Sequence, residues 1–205
     1  MIDGVEKGVL QIVRRHGRGW VFSAKDFVHL GARSAVDMAL HRMEGGGVVR
    51  RIGRGLYYYP RYSKVLNSEL SADVSHIAAA LARKFGWRIQ VTGPTALNMM
   101  GLSTQVPGRA IFLSDGPGRK YSFGNQQIEF IQSPLKDTGF KHEETAVIVA
   151  GLKSLGDAGI TPDVIAAIRR WLKPGLRRYV LRESMAVVGW VQAAIVEICG
   201  VSGDG

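Results

Sequence analysis

At 205 residues, 46% hydrophobic and 21% charged, the chain has the composition of a globular protein with room for one large or two small domains, and wholesale disorder is excluded. Lys and Arg number 27 against 17 Asp and Glu, a net charge of +10 that favours polyanionic partners and leaves the fold open. A single cysteine, Cys199, excludes an intramolecular disulfide and any cysteine-only metal cluster, and no apolar run approaches the roughly 20 residues of a spanning helix. The first eight residues carry Asp3 and Glu6 and no hydrophobic stretch, so no secretory signal is expected there and a cytoplasmic location is.

In chain order, Val5, Val9, Leu10, Ile12 and Val13 recur at helical spacing from Gly4 to His16, and Gly17 and Gly19 end that run. Trp20 to Phe22 suits one small strand. Ser23 precedes Asp26 by three, a capping-box start to a short helix that Gly31 breaks after Leu30. Ser34 then opens a second helix whose inner face is Val36, Ala39, Leu40 and Met43. Gly45 to Gly47 stop it. Two β-prone runs, Val48–Ile52 and Leu56–Pro60, flank Gly53-Arg54-Gly55 and read as a hairpin. Helix, strand, helix, tight turn, helix and hairpin within about 60 residues is the layout of a winged helix-turn-helix.

Ser63 to Leu70 reads as a linker, followed by a helix from Ala72 to Phe85. Arg88–Val91, Ala110–Leu113 and Gln127–Ile131 read as strands. Gly93-Pro94 turns a strand into a helix with Pro94 at its first position. Glu143–Leu155, Pro162–Leu172 and Glu183–Ile198 read as helices, the last apolar nearly all round with Trp190 in its core face and Cys199 just beyond as a small buried hydrophobe. The expected fold is α+β, with a winged helix-turn-helix over residues 1–63 and a mixed domain over 70–205.

Signs of catalysis are few. The five histidines lie far apart, without metal-ligand spacing. Gly116-Pro117-Gly118-Arg119-Lys120 lacks both the glycine before the lysine and the hydroxyl after it that a phosphate loop needs, and reads as a turn between strands. Glu143-Glu144 points two carboxylates about 100° apart at a helix start. No catalytic residue, cofactor or metal is therefore expected.

The features that suggest binding lie at the front, where residues 1–62 carry 11 basic and 5 acidic side chains. The outward face of the second helix of the turn presents Arg33, Ser34, Asp37 and His41, with Arg42 at its edge. A base-reading helix and an ordinary solvated face share that pattern. Arg50, Arg51 and Arg54 put three guanidinium groups at or beside a glycine-flanked tip, which suits phosphate contact or an edge guarded by charge. A further stretch, Arg169, Arg170, Lys173, Arg177, Arg178 and Arg182, reads equally as a helix end favoured by its dipole or as a second contact surface.

Arg50 to Pro60, reached from Ser34 to Leu40, resembles the N-terminal domain of AbiEi-type antitoxins, as do the runs Val91 to Asn98 and Gly101 to Pro107. The resemblance spans about residues 5 to 135. It implies an antitoxin of a type IV toxin–antitoxin system. Its winged domain would bind double-stranded operator repeats and repress its own operon. Its C-terminal part would counter a nucleotidyltransferase-like toxin without forming a stable complex. Two other classes are kept open: a nucleic-acid-processing enzyme delivered by the winged domain, and a protein-interaction module that uses the same fold.

Overall fold

The computed structural model describes residues 4–103, 109–133 and 140–200. It is a mixed helix-and-sheet protein that divides into two compact units, Met1–Arg88 with Ser122–Gln126, and Ile89–Tyr121 with Gln127–Gly205.

The first unit begins with helix α1 (Gly4–His16), strand β1 (Val21–Phe22) and a short 3-10 helix (Ala24–Leu30), followed by helix α2 (Arg33–Gly45) and strands β2 (Arg50–Gly53) and β3 (Leu56–Tyr58). The capping box holds: the Ser23 amide donates to the Asp26 carboxylate at 2.8 Å and the Ser23 hydroxyl accepts from the Lys25 amide. Its helix is 3-10 rather than α. Helix α2 starts one residue before Ser34, because the amides of Ala35 and Val36 already bond the Ala32 carbonyl. It buries Val36, Ala39, Leu40 and Met43, the four positions its spacing dictates, against Val9, Val13, Phe22, Phe27 and Val49. Phe27 and Leu40 are fully buried, and each such side chain contributes about 1.5–3 kcal/mol of transfer free energy.

The hairpin gains a third strand. β1 pairs antiparallel with β3, Phe22 opposite Tyr57, giving the order β1-β3-β2. The ladder shifts between Arg51 and Gly53, and Gly55 (φ 68°) takes the left-handed conformation that lets Arg54-Gly55 close the tip.

The expected linker is itself a hairpin, β4 (Arg61–Ser63) with β5 (Ser68–Leu70). Ser63 Oγ accepts from the Leu66 amide, Asn67 adopts φ 46°, and Val65 and Leu66 stand exposed at the tip. Helix α3 (Val74–Phe85) follows, capped by Asp73. It was expected beyond the domain boundary but belongs to the first unit. Arg83 donates to the Val21 carbonyl at 2.7 Å and to Asp26 at 2.8 Å, and His76 Nδ1 lies 3.0 Å from the Gly19 carbonyl. These bonds move the boundary from the linker at 63–70 to Arg88.

After Arg88 come β6 (Ile89–Val91), α4 (Gly93–Met99), β7 (Ala110–Ser114), β8 (Arg119–Phe123) and β9 (Gln126–Gln132), and the four strands form a sheet of order β6-β7-β9-β8 that lies in the second unit apart from the Ser122–Gln126 turn segment. β6 is antiparallel to β7, and β7 is parallel to β9. Arg119 and Lys120, expected in a turn between strands, instead open strand β8, an exposed strand that carries no apolar alternation to announce it. Helix α5 (Glu143–Leu155) lies so close to α4 that a Cβ on Gly151 would meet Met100 at 2.3 Å and one on Gly93 would meet Ser154 at 2.4 Å.

Helices α6 (Pro162–Trp171), α7 (Arg177–Glu183) and α8 (Gly189–Cys199) complete the unit. The single helix expected from Glu183 to Ile198 is broken. After Ser184–Ala186 the chain extends through Val187 and Val188, β-branched residues ahead of a glycine, and restarts at Gly189. The break leaves Trp190 in the first turn of α8, only half-buried, while Val191, Ala194, Ile195, Ile198 and Cys199 form the buried face.

Candidate nucleic-acid interface

With the apolar stripe of α2 turned inward, Arg33, Ser34, Asp37, His41 and Arg42 are all exposed on the opposite side, and Met38, which the sequence reading passed over, is exposed among them. Arg33 Nε donates to both oxygens of Asp37 at 2.9 and 3.0 Å, one turn along the helix. Arg42 reaches Glu6 of α1 at 3.4 Å. Both pairs are exposed on at least one side, so their cations exchange readily for another anion.

The three hairpin arginines do not act alike. Arg50 is engaged bidentately by Glu69 of β5, at 2.7 and 3.1 Å, and also donates to the Gly47 carbonyl. Arg51 is exposed and bonds no farther than the Gly53 carbonyl. Arg54 stands exposed at the tip.

Tertiary folding adds two lysines that sequence reasoning missed. Lys84, at the end of α3, donates to the Arg54 carbonyl at 2.7 Å, and Lys25 of the 3-10 helix donates to the Lys84 carbonyl at 3.2 Å. Partial burial, with the Arg33 and Arg54 charges added, lowers the Lys84 ammonium pKa below the ordinary lysine range. Four elements thus deliver Lys25, Arg33, Arg54 and Lys84 to one region, and their mutual repulsion is relieved by an anion. In the sequence Lys84 reads only as the basic last turn of a helix; what gives it away is the docking of α3.

Other polar and charged residues of the second unit make local contacts. Asn98 donates to the Pro94 carbonyl at 2.8 Å, one helical turn back, while Thr104 to Pro107 lie outside the described residues. In the basic stretch, Arg169 donates to the Glu197 and Ile198 carbonyls at the end of α8, and Arg178 and Arg182 lie over the Tyr179 ring. Arg170 and Lys173 remain exposed. Glu183, with its side chain 10% exposed, accepts from His142 Nδ1 at 2.6 Å, the His142 amide at 3.2 Å and the Thr145 hydroxyl at 2.9 Å, tying α7 to the start of α5. Burial pushes the Glu183 carboxyl up, but those bonds outweigh it and hold its pKa below the ordinary value. Among the described residues no three His, Cys, Asp or Glu side chains converge as metal ligands, and no helix is long and apolar enough to cross a membrane.

No curated protein matches the chain. Among solved structures, the chain is similar to the RV2827C protein from Mycobacterium tuberculosis, with 11% identity, a TM-score of 0.40, and coverage of 97% of this chain and 77% of that one. A likeness of that size assigns neither fold nor function. The model of a family of unknown function, DUF6088, matches residues 8–177, which is most of the chain and reaches into both units, and the protein therefore belongs to the DUF6088 family.

Proposed function

We propose that this protein is a double-stranded-DNA-binding transcriptional repressor. Its first unit is a winged helix-turn-helix with α2 as the recognition helix and the Arg54 hairpin as the wing. The observation that carries this reading is the convergence of Lys25, Arg33, Arg54 and Lys84 beside the outward face of α2. A recognition helix needs short and medium polar side chains that reach base edges, supplied by Ser34, Asp37 and His41, flanked by cations that hold phosphates and fix its register. The resemblance to AbiEi-type antitoxins extends the reading to autorepression at operator repeats in the cytoplasm. It also makes the second unit the antidote to a nucleotidyltransferase-like toxin with which no stable complex forms, and this half rests on the resemblance alone.

The test is binding of the full chain to duplex DNA, followed by fluorescence anisotropy across a salt series. Each phosphate neutralised adds about −0.9 to the slope of log K against log salt. Arg54→Ala with Lys84→Ala is expected to flatten the slope by about two units while sequence preference persists. An unchanged slope in this double variant removes the cluster from the DNA surface, and salt-independent association of the wild type removes the DNA reading altogether.

A further inference from the structure

The first unit also contains an open cleft of about 530 Å³ lined by Arg15, His16, Trp20, Asp26, His29 and Arg83. The His16 ring lies flat on Trp20, with centroids 3.9 Å apart and planes 10° apart, which fixes its orientation and leaves both ring nitrogens unbonded. Asp26 is the carboxylate of this lining, and it is already occupied: Arg83 holds one oxygen at 2.8 Å and the Ser23 amide holds the other at 2.8 Å. Arg83 Nη2 also donates to the Val21 carbonyl at 2.7 Å. Arg15 and His29 have neither a hydrogen bond nor a carboxylate partner among the described residues. Burial, together with the Arg83 and Arg15 charges and against the pull of Asp26, holds His16 below the ordinary histidine pKa. The cleft therefore gathers three donor groups with no anion to receive them.

We propose that this cleft binds the phosphate group of a small phosphomonoester, which Arg15 grips through its planar fork while His16 and His29 donate from other directions. Three separate donor groups match a phosphate with three free oxygens, where a carboxylate offers only two. The volume is that of a small-ligand site rather than of a lone ion, so the ligand carries an organic group beside its phosphate. Binding is proton-linked, since the bound dianion favours His16 in its charged form against Arg83 and Arg15. The site stands independently of the DNA reading.

The experiment follows the His16 ring proton by NMR as a function of pH in the full chain, alone and with inorganic phosphate, AMP, a duplex oligonucleotide, or chloride at matched ionic strength. With AMP the His16 midpoint is expected to rise by about one unit, a tenfold preference for the protonated form, and less with inorganic phosphate. His41 on α2 should not move with AMP, and Arg15→Gln, an exposed change that leaves the melting temperature unaltered, should abolish most of the rise. The proposal is overturned if neither phosphate nor AMP moves His16, if Arg15→Gln rises as much as the wild type, or if His41 shifts equally. It is equally overturned if only the duplex moves His16, which would assign the cleft to backbone phosphates of nucleic acid.

Discussion

The bidentate pair between Arg50 and Glu69, at 2.7 and 3.1 Å, sets a carboxylate in competition with any phosphate for one guanidinium. Both side chains are about two-fifths exposed, so the pair contributes on the order of 0–1 kcal/mol to stability. Glu69→Gln should therefore leave thermal stability nearly unchanged while releasing Arg50. We expect the salt slope for duplex DNA to steepen by about 0.9, one additional phosphate contact. If the slope stays put, Arg50 is a structural residue tying one hairpin to the next. Glu183 makes a second prediction at this scale. Its pKa is held below the unfolded value, about 4.3 for a glutamate, so its stabilisation is fully present above that pH and is lost as pH falls through the lower folded pKa. Acid unfolding of the wild type should accordingly be steeper below about pH 4 than that of Glu183→Gln, which keeps an acceptor for His142 and Thr145 but no proton equilibrium. Identical acid limbs, measured by circular dichroism across pH, would show that the His142–Glu183 contact carries no linkage.

Helix α2 illustrates how one element divides its labour. Its inner residues are buried to within 3% of full exclusion, so their substitution unfolds rather than informs. The outer residues Ser34 and His41 are exposed, and Asp37 engages only the exposed Arg33 one turn away, so substitutions there cost little stability. Under the proposed function, each change to Ala at a base-contacting position should cost about 1–3 kcal/mol on the preferred duplex and little on random DNA. Equal losses on both DNAs would mean that α2 does not read sequence. Helix α8 makes the complementary case for stability. Ile195 is fully buried and Trp190 is not. Ile195→Ala should cost about 2–5 kcal/mol in denaturant unfolding, and Trp190→Ala distinctly less. The reverse order would show that the half-buried indole, rather than the aliphatic face, holds α8 in place.

On the scale of the whole molecule, the division at Arg88 decides how the proposed two roles can be separated. A cut at the expected linker would strand α3 away from β1 and the 3-10 helix, severing the Arg83–Asp26 and Lys84–Arg54 contacts. Point variants of the full chain avoid this. Under the proposed function, Arg54→Ala with Lys84→Ala should weaken DNA binding yet still protect cells that co-express a nucleotidyltransferase-like toxin, because protection in that reading resides in the second unit. Growth assays on co-expression decide it. Failure to protect would mean that the antidote effect runs through transcription.

Periodicity and turn chemistry made much of this protein legible in one dimension. The bounds of α1 and α5, the buried face of α2, the Ser23–Asp26 capping box and the outward placement of Arg33, Ser34, Asp37 and His41 all follow from spacings of a few residues, and local sterics enforce such spacings wherever the chain goes. The β4–β5 hairpin and β8 were not legible, because short exposed strands carry no apolar alternation. Nor was the break at Val187–Val188, where an apolar run conceals the change of direction. Tertiary structure alone decided which charges meet. Arg50 faces Glu69 from 19 residues away, Lys84 reaches Arg54 across 30, and Arg83 reaches Asp26 across 57. A side chain's charge is written in the sequence, but its partner is set by the packing of distant apolar faces, and no local pattern encodes that distance.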